Sequence, residues 1–100
     1  MIELDDIQKQ IMDNKKAKGF NTTNIQQEFC LLYGEVGEAF DAYFKKKEGL
    51  GLELADVAIY LMAISEMLGI SLEKEVLKKI EINKNRVYER VNGVLLKKEK

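Results

Sequence analysis

The sequence predicts an all-α fold, a four-helix bundle. Three observations carry that prediction. The chain has no proline, no stretch alternates β-branched with polar residues, and apolar residues recur at three- and four-residue spacing almost throughout. Its 100 residues make one domain, 1–100, able to bury roughly two-thirds of its unfolded surface. No internal repeat, low-complexity segment or linker interrupts it.

The first helix is expected over about Glu3 to Lys18, with Leu4, Ile7 and Ile11 as a narrow apolar stripe. Lys15, Lys16 and Lys18 suit its C-terminal end, and Gly19 stops it. The second runs from about Asn24 to Lys46. Thr23 with Gln26 reads as a capping box. Ile25, Phe29, Leu32, Val36, Phe40 and Tyr43 form one stripe, flanked by Glu28, Glu35 and Glu38. Acids at the border of a buried face can point into a crevice between helices.

A short turn, Glu48-Gly-Leu-Gly51, leads to the third helix, about Leu52 to Leu68. From Leu54 to Leu68 only Asp56, Ser65 and Glu66 are clearly polar, apart from the Tyr60 hydroxyl. A helix apolar on nearly all sides must be covered on nearly all sides, and so short a chain has little material for that. A subunit interface is expected. Gly69 ends this helix. Ser71 caps the fourth, with Glu73 and Glu75 in its first turn, and the pattern extends to about Arg90. Leu72, Val76, Ile80 and Val87 should face the core. Lys79, Asn83, Arg86 and Arg90 follow the border of that face. Asn92-Gly93 reads as a turn, Val94-Leu95-Leu96 as a short extended tail, and Lys97 to Lys100 as a charged end.

Composition excludes several functions. Sixteen basic and 17 acidic side chains leave a net charge of −1, which disfavours broad electrostatic binding to nucleic acid. No apolar run is long enough to span a membrane. Met1-Ile-Glu-Leu-Asp-Asp lacks the features of a signal peptide, so a cytoplasmic protein is expected. There is no histidine, which removes Ser-His-Asp catalysis, His-type zinc sites and Glu-x-x-His di-iron bundles. The single Cys30, in Phe29-Cys-Leu-Leu-Tyr33, reads as a buried structural thiol.

Chemistry concentrates in two acidic pairs, Glu35-Val-Gly-Glu38 and Glu53-Leu-Ala-Asp56. Spacing of i, i+3 puts both carboxylates of a pair on one side of a helix, about 4.5 Å apart along its axis. Four acids on neighbouring helices would form a pocket of hard oxygen ligands suited to Mg²⁺, Mn²⁺ or Ca²⁺. Asp56, inside an apolar run, needs a cation, a hydrogen-bond partner or a proton. The competing reading pairs all four acids with lysines in structural salt bridges.

Lys79, Asn83 and Arg86 would complement such a metal by neutralising phosphate oxygens from the other side; the competing reading is a solvated helix border. Within Lys45–Lys47, Lys46 is a candidate phosphate ligand or a solvated helix end. Tyr60 shares the Glu53/Asp56 face and is the best base-stacking or hydroxyl candidate among aromatics that otherwise read as core.

Leu-Tyr-Gly-Glu35-Val-Gly-Glu38-Ala, then Glu53-Leu-Ala-Asp56-Val-Ala-Ile-Tyr60, then Lys79-Ile-Glu-Ile-Asn83-Lys-Asn-Arg86 together resemble the MazG-like all-α nucleoside triphosphate pyrophosphohydrolases, over about residues 23–93. The resemblance implies a MazG-like four-helix bundle completed by oligomerisation as a homodimer or homotetramer. It implies Mg²⁺, with Mn²⁺ as a substitute, held by Glu35, Glu38, Glu53 and Asp56. It also implies cleavage of a nucleoside triphosphate between the α and β phosphates, to monophosphate and pyrophosphate, as in housecleaning of nucleotide pools. Glu35 or Glu38 would position the attacking water, with Glu28 a lesser candidate. The family's first acid is Gly34 here, a variant of smaller relatives, so no role passes from that acid to this chain. Two alternatives stand beside this: a phosphoribosyl-ATP pyrophosphohydrolase-like enzyme, and a non-catalytic helical interaction module.

Overall fold

A computed structural model describes residues 2–98; the last two residues of the charged C-terminal end lie outside them. Four helices are followed by a small β-hairpin: α1 Leu4–Ala17, α2 Ile25–Phe44, α3 Leu50–Met67, α4 Leu72–Lys84, β1 Val87–Val91 and β2 Val94–Lys98. No single helix among the described residues is long and apolar enough to cross a membrane.

The helix ends follow local chemistry. Gly19 and Gly69 take positive φ, 71° and 70°, just beyond α1 and α3, the conformation that closes a helix most cheaply at glycine. Ser71 caps α4 by accepting from the Lys74 amide at 3.3 Å. At α2 the expected Thr23 capping box gives way to Asn24, whose side chain accepts from the Gln27 amide at 3.1 Å. Asn21 holds this turn by accepting from the Asn24 amide at 3.0 Å.

The expected fourth helix is too long by six residues. It stops at Lys84; Asn85 and Arg86 form the connection, and Val87 to Arg90, read as helix, lie in β1. Asn92 and Gly93 have φ of 51° and 79°, so Asn-Gly makes the left-handed two-residue turn that suits the twist of a hairpin. It pairs Val91 with Val94 and Val87 with Lys98. The predicted extended tail is thus a paired strand. Because side chains alternate along a strand, Val87, Val91, Val94 and Leu96 share one hairpin face, and all four are exposed.

The core lies among α1, α2 and α3 and is built largely from small side chains. Met12, Ala39, Ala42, Ala63 and Ile64 are its buried apolar members. The large apolar stripe expected to bury α2 does not: Phe29, Val36, Phe40 and Tyr43 are exposed. Alanines permit the closest approach of two helix backbones, so the face carrying Ala39 and Ala42 turns inward, together with Glu28. Cys30 is exposed as well, contrary to the expected buried thiol. On α3, Leu52, Leu54, Ile59 and Leu61 remain exposed.

Gln8 ties α1 to the α3–α4 junction. Its buried amide donates to Glu66 Oε1 (3.1 Å) and to the Ile70 carbonyl (2.7 Å), and accepts from the Leu72 amide (3.3 Å). Ser71 Oγ donates to Asp5 Oδ1 at 2.6 Å, and the Leu4 amide donates to Glu73 Oε1 at 2.8 Å. Beyond this joint α4 leaves α3 at a bend of 107°, and it packs only lightly, mainly against α1. Val76 and Ile80, expected in the core, are exposed, as is Val87.

Candidate functional site

The loop Lys45–Gly49 reverses the chain between α2 and α3, so the middle of α2 meets the first turns of α3. That brings the two acidic pairs together. One carboxylate oxygen from each of Glu35, Glu38 and Glu53 lies within 4.8 Å of the others. Glu35 Oε2 and Glu53 Oε2 are buried without a hydrogen-bond partner. Burial pushes the Glu35 carboxyl above its ordinary value, helped by the charges of Glu38 and Asp56, a hydrogen bond with Glu38, and the charge of Glu53.

Asp56 stands outside the three-acid group and acts on Glu35 through its charge. It is exposed, which corrects the expectation that its apolar surroundings would bury it: Leu54, Ala55, Ala58 and Ile59 beside it are themselves exposed. Among the described residues none of the four acids forms an ion pair. The lysine bridges go elsewhere, to Asp41 from Lys45 (3.1 Å) and Lys47 (2.9 Å), and to Glu28 from Lys15.

A cleft of about 600 Å³ opens on the acids, lined by Gly34, Gly37, Glu38, Asp41, Lys47 and Glu53, with Ala42 at its back. Lys46, the lysine singled out from the sequence, does not line it. Its left-handed φ of 54° turns the chain so that Lys47 folds back over Asp41. Lys47 is the cation at this cleft, its ammonium held above its ordinary value by the hydrogen bond to Asp41, with the Asp41 and Glu53 charges adding to the effect. Lys79, Asn83 and Arg86 lie on or just after α4, whose contacts are mainly with α1, so the fold does not bring them to the acids on α2 and α3.

Tyr60 lies behind the acids. Desolvation raises its phenol above the ordinary value, and the charges of Glu35, Glu28, Asp56 and Glu38 push the same way. Its other side lines an apolar groove of about 350 Å³ between α1 and α3, with Ile11, Lys15, Phe20 and Ile59 among the walls. Lys15 Nζ sits 5.9 Å from the Tyr60 ring centroid and ion-pairs with the fully buried Glu28, which also accepts from Asn21 Nδ2 at 3.1 Å.

Sequence reasoning took Lys15 for a helix-end charge, overlooked Asn21, and chose Lys46 rather than Lys47 from the Lys45–Lys47 run. The partners of Lys15 and Asn21 lie on another element, and no spacing within one helix signals them. Lys47 was legible only as one of three adjacent lysines. No family model, curated protein or solved structure matches the chain.

Proposed function

We propose that this chain is a metal-dependent hydrolase that splits a nucleoside triphosphate into monophosphate and pyrophosphate, as a MazG-like, homo-oligomeric enzyme of the nucleotide pool. The observation that carries the reading is the group of three carboxylates within 4.8 Å, two of them with buried oxygens lacking any partner. Like charges so placed are unfavourable without a cation. An all-oxygen donor set without histidine or thiolate fits a hard divalent ion. Glu35, Glu38 and Glu53 would hold Mg²⁺ or Mn²⁺, with Asp56 adding charge beside them. When bound, such an ion neutralises phosphate oxygens and favours departure of the leaving group.

The chain's own residues account for the rest. Water adds to the α-phosphorus, the α–β anhydride bond breaks, and the bridging oxygen leaves with pyrophosphate. The water's proton would pass to a carboxylate oxygen not taken up by metal, a role we give to Glu35 or Glu38. Lys47 stands over the cleft as a phosphate-neutralising cation, and Tyr60 offers a hydroxyl and a ring at its back. Substrates on the phosphoribosyl-ATP pattern would meet the same acids.

Pyrophosphate release from a panel of ribo- and deoxyribonucleoside triphosphates and phosphoribosyl-ATP, with Mg²⁺ and with EDTA, tests the reading. Pyrophosphate formed only with the metal is expected. Orthophosphate and diphosphate as products would contradict the cleavage site. No turnover of any substrate together with no metal binding would leave a helical interaction module.

A further inference from the structure

We propose that the groove between α1 and α3 receives the base of the nucleotide whose phosphates meet the acids, and that Lys15 selects bases carrying an exocyclic oxygen over their amino counterparts. The inference rests on the phosphate-cleaving reading for the ligand, and on the fold for the groove and its charge.

The groove begins where the acids end. Glu53, Asp56 and Tyr60 share one stripe of α3 at i, i+3, i+7 spacing, and Ala63 continues it by a turn. Tyr60 and Ala63 line the groove. From Glu53 to Tyr60 the helix rises about 10 Å, a length that one sugar bridges with phosphate on one side and base on the other. α1 runs antiparallel to α3 here: Gln8 bonds to Glu66, while Lys15 sits over Tyr60. The Lys15 and Phe20 end of the groove is therefore the end nearer the acids. Its volume of about 350 Å³ has room for a flat heteroaromatic ring. Ile11 and Ile59 supply apolar wall, and Phe20 and Tyr60 supply aromatic surface, on which any base can stack.

Charge selects among bases. Lys15 is the one charged residue of the groove wall. Its side chain is only 12% exposed, whereas the polar wall residues Gln10 and Asn14 are exposed. An ammonium carries three donors and no acceptor. Among the described residues Lys15 gives one of these to Glu28, so donors remain for a ligand. Glu28 does not line the groove; the buried pair therefore presents its donor there and not its acceptor. An exocyclic oxygen on the base accepts from that donor. An exocyclic amino group meets it donor to donor, and both groups stay unpaired, which is costly in a dry site. Sugar and phosphates leave toward the cleft, so the edge of the base farthest from the sugar enters first. The preference is for oxygen on that edge: uracil over cytosine, and hypoxanthine over adenine.

Two measurements test it. In the first, the isoleucine methyl groups of the wild type are followed by NMR during titration with inosine, adenosine, uridine and cytidine, none of which carries a phosphate. The methyls of Ile7, Ile11 and Ile59, which line the groove, should move with inosine and uridine at lower concentration than with adenosine and cytidine, while those of Ile80 and Ile82 on α4 stay in place. No movement at the three groove methyls, or an equal response to oxo and amino bases, would overturn the proposal. Movement on dilution without any nucleoside would show a second copy filling the groove, and would overturn it too. In the second, kcat/KM is compared for the triphosphates of inosine against adenosine and of uridine against cytidine. The wild type should prefer the oxo member of each pair by at least about tenfold. Lys15→Met/Glu28→Gln, which leaves no charge buried alone, should bring both ratios close to one. A ratio unchanged in that variant would remove Lys15 from base selection. Selective shifts with oxo nucleosides but no turnover of any triphosphate keep the groove and remove the hydrolase. Turnover without base preference and without shifts keeps the hydrolase and removes the groove.

Discussion

Glu28 and Glu35 sit two turns apart on nearly the same face of α2, yet they live in opposite electrostatic worlds. Glu28 is fully buried and satisfied, with Lys15 on one oxygen and Asn21 on the other. Glu35 is half-buried, keeps an oxygen without a partner, and faces three further acids. The first carboxylate ties α1 and the α1–α2 loop to α2, with a donor on each of its oxygens. The second is held in an arrangement that weakens the empty fold. A carboxylate left with an unpartnered oxygen, on a helix where the fold does pair a buried acid, is the group on which the proposed function rests.

Breaking the satisfied pair should have the largest effect. Lys15→Met leaves Glu28 buried without its cation, and removing one partner of a buried ion pair costs about 3–5 kcal/mol. Urea unfolding should show that loss equally in EDTA and in Mg²⁺. A loss of less than about 1 kcal/mol, the range of an exposed pair, would place Glu28 with the functional acids.

Filling the unsatisfied group is the next test. Mg²⁺ at a hundredfold excess over its Kd should stabilise the wild type by about 2.7 kcal/mol through preferential binding to the folded state. Glu38→Gln should lose most of that gain, yet be no less stable than the wild type in EDTA. A destabilised variant and a wild type indifferent to both Mg²⁺ and Mn²⁺ would mean that the acids serve as structural partners.

The smallest effect is a pH dependence. Glu35 in the fold binds its proton more tightly than its ordinary value of 4.5 implies. Stability from the protonated group is therefore complete below that value and lost as the pH rises through the higher folded one. In EDTA, Glu35→Gln should gain stability relative to the wild type between pH 4.5 and neutrality, read as a widening difference in Tm. A difference that narrows over this window would show Glu35 meeting positive charge.

Helix existence and helix ends were legible because they depend on local chemistry: Gly19, Gly69 and Ser71 act within a turn of their own position. The convergence of Glu35, Glu38 and Glu53 was legible too, since a short loop between two helices leaves few ways to arrange them. Other features depend on partners distant in sequence. Large apolar residues marked one α2 face, but helix approach selected the small ones, Ala39 and Ala42, and left Phe40 and Tyr43 outside. The basic spacing Lys79, Asn83, Arg86, Arg90 continued the helical rhythm past Lys84, while Val87, Tyr88 and Val91, facing an Asn-Gly turn, favoured pairing with β2. Cys30 followed the displaced α2 face into solvent.

The hairpin of α2 and α3 has a consequence for the order of events during folding. All four acids lie within the 22 residues from Glu35 to Asp56, joined by a five-residue loop. Contacts so close along the chain form quickly, because little loop entropy is lost in closing them. The mutually repelling acids therefore meet early. Divalent cations present during refolding should act on this first encounter and raise its rate.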